Sequence, residues 1–168
     1  MENPYVLLET TLGDILIELL PEHAPKSVAN FLQYVDAKHY DYTIFHRVIR
    51  GFMIQGGAYN NRLQRKEALA PVENEAKGGL SNVKGTVALA RATEKDSACD
   101  EFFINAEDNL DLDHTDDSDE NYGYTVFGRV VEGMDVVKKI NWKVTKPRND
   151  FDDLPVDDIE IISARRFE

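Results

Sequence analysis

The chain has 168 residues, with 19 Lys and Arg against 31 Asp and Glu, for a formal net charge of −12. That length suits one domain over residues 1–168, and a hydrophobic fraction of 42% is enough to build a core, so wholesale disorder is excluded. The acidity argues against nucleic acid or an anionic membrane as partner, because both demand clustered Lys and Arg.

The opening reads as a β-hairpin. Tyr5 to Glu9 is β-prone, Thr10-Thr11-Leu12-Gly13-Asp14 carries turn residues, and Ile15, Ile17 and Leu19 then alternate onto one face. A helix follows, with Pro25 suited to its first turn and Val28, Phe31, Leu32 and Val35 forming one apolar stripe. Short apolar runs come next, at Ile44–Ile49, Phe52–Gln55, Val87–Ala90, Phe102–Asn105, Tyr124–Val131 and Ile159–Ala164. Met134, Val137 and Ile140 predict a second short helix between the last two. Many short strands with only two helices predict a closed or sandwiched β architecture. Two irregular stretches, Ala58–Lys84 and Asp108–Tyr122, are long enough to be functional loops. The second lies within a run from Asp96 to Gly128 that holds no Lys or Arg.

No apolar run reaches the roughly 18 residues a spanning helix needs, and the first residues lack the features of a secretory signal. Cys99 is the single cysteine, which precludes an internal disulfide and points to a reducing compartment, the cytoplasm. Its acidic neighbours Asp100 and Glu101 disfavour a reactive thiolate. A monomer needing neither metal nor cofactor is expected. The acidic stretch Asp108–Glu120 fails the EF-hand template, since Ser118 and Tyr124 stand where that loop wants Gly and Glu.

The densest signal is Phe45-His46-Arg47-Val48-Ile49-Arg50-Gly51-Phe52-Met53-Ile54-Gln55-Gly56-Gly57. Simple alternation places Phe45, Arg47 and Ile49 on one face and His46 and Val48 on the other. An arginine among large apolar groups calls for a partner or a ligand. His46 and His114 read as structural histidines, because no nucleophile stands in register with either.

This run resembles the signature of the cyclophilins, the cyclosporin-binding class of peptidyl-prolyl cis-trans isomerases. The resemblance extends to Gly85–Arg91, Glu101–Asn105, Leu112-Asp113-His114, Tyr124–Val130 and Gly133-Met134-Asp135, in family order, and is strongest to the short bacterial members. It implies an antiparallel barrel of about eight strands closed by two helices. It implies that Arg47 is the catalytic arginine, with Gln55 beside it, and that Phe52, Met53, Phe103 and Leu112 wall a proline pocket. Ala90 and Arg91 fall on the strand whose backbone binds the peptide, and Tyr124 stands where other members carry His. The implied substrates are X-Pro bonds in unfolded or extended polypeptides, with no cofactor.

Departures from the pattern carry expectations of their own. Glu101 replaces the usual glutamine and is expected to reach Arg47 by a charge-assisted bond. Asp111 replaces an aromatic residue, which predicts weak cyclosporin binding and a preference for basic residues near the substrate proline. Arg50 stands where an uncharged residue is commoner. Two rival readings are a proline-peptide-binding scaffold on the same fold with little catalysis, and an acidic cation-binding β-protein.

Overall fold

A computed structural model describes residues 2–168, and among them are ten strands and two α-helices. Strands β1 (Tyr5–Thr10) and β2 (Gly13–Leu19) form the expected hairpin and lead into helix α1 (Pro25–Asp36). Then come β3 (Thr43–Ile49), β4 (Met53–Asn60), β5 (Thr86–Leu89), β6 (Phe102–Asn105) and β7 (Val126–Glu132). Helix α2 (Met134–Asn141) precedes β8 (Thr145–Arg148), β9 (Phe151–Pro155) and β10 (Glu160–Phe167). Eight strands close into an antiparallel barrel in the order β1-β10-β3-β4-β6-β5-β7-β2, while β8 and β9 form a separate hairpin. That hairpin packs on β3 and was not anticipated from the sequence. The long irregular stretch begins at 61 rather than at Ala58, because Ala58 to Asn60 continue β4.

Alternation along the strands sorts the side chains into two clusters. Val6, Leu8, Ile17, Phe45, Val48, Ile54, Val87, Phe102, Ile104 and Phe127 fill the barrel with the apolar stripe of α1. Phe31 on that stripe meets the rings of Tyr40, Phe102 and Phe127 at centroid distances of 5.2, 5.4 and 4.9 Å. The opposite faces of the same strands carry Met53, Ala88, Phe103 and Val126, a second cluster outside the barrel.

One irregularity decides which side chains face out. Phe45 pairs with Gly56 and Arg47 with Gln55, so β3 carries one extra residue, His46, against β4. The bulge resets the alternation. Phe45 therefore turns into the barrel with Val48, while Arg47 and Ile49 face outward, correcting the placement of Phe45 beside Arg47. Gly56 makes the close packing possible: a Cβ there would sit 2.7 Å from the Ile44 carbonyl oxygen.

The long segment between β4 and β5 is pinned at both ends of α1. Glu75 accepts hydrogen bonds from the Ser27 amide (2.7 Å), the Ser27 hydroxyl (2.8 Å) and the Lys26 amide (3.3 Å), capping a helix that has no side-chain cap of its own. Past the other end, Asp100 is fully buried and accepts both Arg65 nitrogens, at 2.7 and 2.6 Å, and the His39 ring at 2.7 Å. Burial pushes the Asp100 carboxyl up, but these hydrogen bonds and charges outweigh it and hold its pKa below the ordinary aspartate value.

A depressed folded-state pKa contributes stability that is present above the unfolded value of about 3.9 and is lost as pH falls through the folded value. Asp100→Asn is therefore expected to destabilise the protein by about 3 kcal/mol near neutral pH, by analogy with removing one partner of a buried pair. Denaturant melts should show the gap between variant and parent narrowing below about pH 4. A gap that stays constant to low pH would contradict this linkage.

Candidate active site

The outward faces of five adjacent strands present one transverse row. Arg47 on β3 pairs with Gln55 on β4, Gln55 with Phe103 on β6, Phe103 with Ala88 on β5, and Ala88 with Val126 on β7. The sheet thus carries its polar end, Arg47 and Gln55, straight into an apolar floor. Ile49 and Met53 pair in the next row of the ladder, and Phe52 follows from the turn at Gly51, whose φ is +74°.

Above this floor lies a cavity of about 150 Å³. Its apolar walls are Phe52, Met53, Phe103 and Leu112; Arg47 and Gln55 close one side, and Ala90, Arg91 and Tyr124 the other. A cavity of that volume admits a benzene-sized ring, so a five-membered ring fits. Nine of the ten residues singled out from the sequence meet here. The tenth, Glu101, lines an adjoining cavity of about 250 Å³ that shares Gln55, Ala90 and Arg91 with the first.

Arg47 is exposed, and its one side-chain hydrogen bond runs from Nη1 to Gln55 Oε1 at 3.3 Å, with no ion-pair partner among the described residues. The expected contact between Glu101 and Arg47 is not made. Glu101 Oε1 instead accepts Gln55 Nε2 at 3.1 Å and His46 Nε2 at 3.0 Å. The bulge explains this, because it swings His46 towards Glu101 while Gln55 stands between Glu101 and Arg47. Burial alone raises the Glu101 pKa; hydrogen bonds from His46 and Gln55 and the charge of Arg65 outweigh it and hold the carboxyl below its ordinary value. The carboxylate fixes which way the Gln55 amide points: its NH2 donates to Glu101, leaving the oxygen for Arg47.

Arg91 spends its donors on the scaffold. It donates to the carbonyl oxygens of Gly123 (2.9 Å), Ala92 and Thr93 (both 3.1 Å) and Asp119 (2.8 Å), with its guanidinium 4.9 Å over the Tyr124 ring. Tyr124 in turn meets Phe103 edge-on at 5.7 Å. Arg91 therefore supports a wall, and Arg47 is the cation whose donors remain open. Asp111 is exposed and is not part of the cavity wall. Arg50, also exposed, stacks 4.6 Å over Trp142 and donates to its carbonyl oxygen at 2.7 Å. His114 is partnered at both ring nitrogens, by the Tyr122 carbonyl at 3.0 Å and Asp117 at 3.2 Å.

Several buried amides that the sequence did not single out hold these walls. Asn141, at the end of α2, accepts from the Gly51 amide at 2.9 Å and donates to the Ile49 and Met53 carbonyls, clamping the turn that carries Phe52. Asn109 donates to the Phe52 carbonyl at 2.9 Å. Leu112 is placed by Asp113, which accepts from Ser81 and from the Asn82 amide, and by the Tyr124 amide donating to its carbonyl at 2.9 Å. Gly123 (φ +91°) allows this approach, since a Cβ there would lie 2.6 Å from the His114 amide nitrogen. The one available signal was an asparagine on the otherwise apolar face of α2.

If Glu101 sets the orientation of Gln55, its removal frees that amide to turn. Glu101→Ala is expected to lower kcat/KM on a prolyl peptide by about tenfold, the value of one charge-assisted hydrogen bond, whereas Glu101→Gln retains an acceptor oxygen and most of the rate. Equal rates for all three proteins would show that the Gln55 amide needs no external hold.

The family model for cyclophilin type peptidyl-prolyl cis-trans isomerase matches residues 5–166. The chain is 49% identical over 160 residues to a peptidyl-prolyl cis-trans isomerase of Streptomyces antibioticus, covering 95% of this chain and 96% of that one. It is 44% identical over 159 residues to peptidyl-prolyl cis-trans isomerase B of Escherichia coli K12, with coverage of 95% and 97%. In fold it resembles a cyclophilin type isomerase of Cryptosporidium parvum, with a TM-score of 0.80 at 23% identity over 99% and 98% of the two chains. A cyclophilin of Hirschia baltica superposes with a TM-score of 0.73 at 26% identity, over 95% of this chain and 72% of that one. With the family model spanning nearly the whole chain and relatives this similar along their full length, the chain belongs to the cyclophilin type peptidyl-prolyl cis-trans isomerases.

Proposed function

We propose that the chain accelerates rotation about X-Pro bonds of polypeptides, with Arg47 donating to the prolyl nitrogen while Phe52, Met53, Phe103 and Leu112 hold the ring. The peptide bond resists rotation by about 18–20 kcal/mol because the nitrogen lone pair is delocalised into the carbonyl. Twisting localises that pair and makes the nitrogen basic, so a donor aimed at it stabilises the transition state more than the planar ground state. Arginine suits the role because it stays protonated and surrenders no proton. No bond is broken, and no general base is needed.

The observation that carries this reading is the guanidinium itself. In a chain of net charge −12, Arg47 has no carboxylate partner among the described residues and stands at the mouth of an apolar cavity. Gln55 steers it without neutralising it. One charged hydrogen bond contributes about 1.5–3 kcal/mol, hence about 10–100-fold in rate. The rest is assigned to the pocket: the planar amide is the more polar form, so an apolar enclosure disfavours it relative to the twisted one. Ala90 supplies backbone to the peptide, and Tyr124 with Arg91 holds the far wall.

The finer readings are part of the same proposal. The whole chain acts as one catalytic domain and as a monomer, in a reducing compartment such as the cytoplasm, in keeping with the lone and unpaired Cys99. Cyclosporin binds weakly, because Asp111 offers the macrocycle no aromatic surface; Asp111→Trp is expected to tighten binding, and an unchanged Kd would refute the explanation. Uncatalysed isomerisation takes tens to hundreds of seconds and can limit folding, so folding assistance is the expected use.

Arg47→Ala is expected to lower kcat/KM on a short X-Pro peptide by about 10–100-fold, as followed by a protease-coupled assay. Phe103→Ala should lose at least as much through the pocket. Full activity in Arg47→Ala would leave a peptide-binding scaffold, or a different catalytic group, as the better account.

A further inference from the structure

On the side of Arg47 away from Ala90 lies a third cavity, of about 260 Å³, between β3 and the β8–β9 hairpin. We infer that it is a subsite for a Lys or Arg side chain of the substrate, carried by one of the residues that follow the proline. This deepens the isomerase reading and rests on it. The cavities are linked through shared walls: the one containing Glu101 shares Gln55, Ala90 and Arg91 with the proline cavity, and the proline cavity shares Arg47 with the third. A polypeptide whose residue before the proline lies along Ala90 therefore leaves past Arg47, into the third cavity.

The chemistry of the walls sets the class of side chain. Asp150, Asp152 and Asp153 line the cavity, and none has a side-chain hydrogen-bond or ion-pair partner among the described residues. An independent observation comes from His46, which is 5% exposed and forms part of the same wall. Its Nε2 faces the Glu101 carboxylate at 3.0 Å, and a carboxylate only accepts, so Nε2 carries a proton. The other ring nitrogen, Nδ1, is the one buried side-chain polar atom among the described residues with no partner. A buried polar atom without a partner is costly, so this wall of the cavity has an unmet hydrogen-bonding demand.

A substrate Lys or Arg answers the three free carboxylates. Its head supplies the donors and the positive charge, and its alkyl stem can lie along the rings of Phe151 and Tyr59, which meet edge-on at 4.9 Å in the wall. A metal ion answers less well, because the described residues hold no group of three or more His, Cys, Asp or Glu placed to bind one. An acidic side chain would face three unneutralised carboxylates.

The test is a peptide series with one proline and Lys, Gln or Glu placed one, two or three residues after it, assayed for kcat/KM at low and at 1 M salt. For at least one position, Lys is expected to exceed Glu by about tenfold at low salt, with the ratio collapsing at 1 M, where the screening length is about 3 Å. In Asp150→Asn/Asp152→Asn/Asp153→Asn the low-salt ratio should fall to about one. Equal rates for Lys and Glu peptides, with the Gln peptides turned over normally, would overturn the subsite and leave the isomerase reading standing. A ratio that persists at 1 M salt or in the triple variant would also overturn it. No turnover of any peptide would instead sink the reading on which the subsite rests.

Discussion

An uncompensated guanidinium beside an apolar hollow is the constraint around which this protein is arranged. In so acidic a chain, a carboxylate that closed onto this guanidinium would occupy its donors and offset its charge. Here the β3 bulge and the ladder register prevent that, placing Gln55 beside Arg47 and putting Glu101 one side chain further away. The amide between them passes on the orienting influence of the carboxylate without its charge. Catalysis by a hydrogen bond to nitrogen requires both halves of this arrangement, a donor held in place and a donor still free.

The barrel contributes rigidity in a form that a loop site would lack. The functional row belongs to five hydrogen-bonded strands, so its spacing is that of the sheet, and the inward halves of those strands are packed against Phe31 and its ring neighbours. The remaining walls come from connections, and these are fastened by buried polar groups. Asn141 holds the β3–β4 turn, Asp113 holds the segment carrying Leu112, and the Asp100–Arg65–His39 cluster ties down the longest loop. Each link satisfies groups that would otherwise be buried and unpaired, which makes these loops parts of the scaffold.

Much of this was legible in the sequence, for identifiable reasons. Period-two apolar runs located the barrel strands, Pro25 and the stripe through Phe31 located α1, and the motif from Phe45 to Gly57 located the site. The bulge was not legible, because alternation assumes an uninterrupted ladder; Phe45 was consequently assigned to the wrong face. Strands β8 and β9 escaped because Pro147, Pro155 and four acidic or amide residues interrupt any pattern between Thr145 and Pro155. Asn74 is a similar case. It donates to the carbonyls of Lys95 and Gly123 and accepts from Ala76 and Thr125, joining several loops, yet nothing in its sequence neighbours announces that role. Long-range polar links depend on what the fold brings together, which local sequence does not encode.

The most direct measurement separates binding from rotation on the enzyme. NMR line shapes of a labelled X-Pro peptide, titrated with the parent protein and with Arg47→Ala, yield both the Kd and the cis–trans exchange rate of the bound peptide. A guanidinium that acts on the twisted bond should leave Kd within a few-fold and slow bound-state exchange by about tenfold or more. Unchanged exchange with weakened binding would contradict the account, since Arg47 would then hold the peptide without helping it turn.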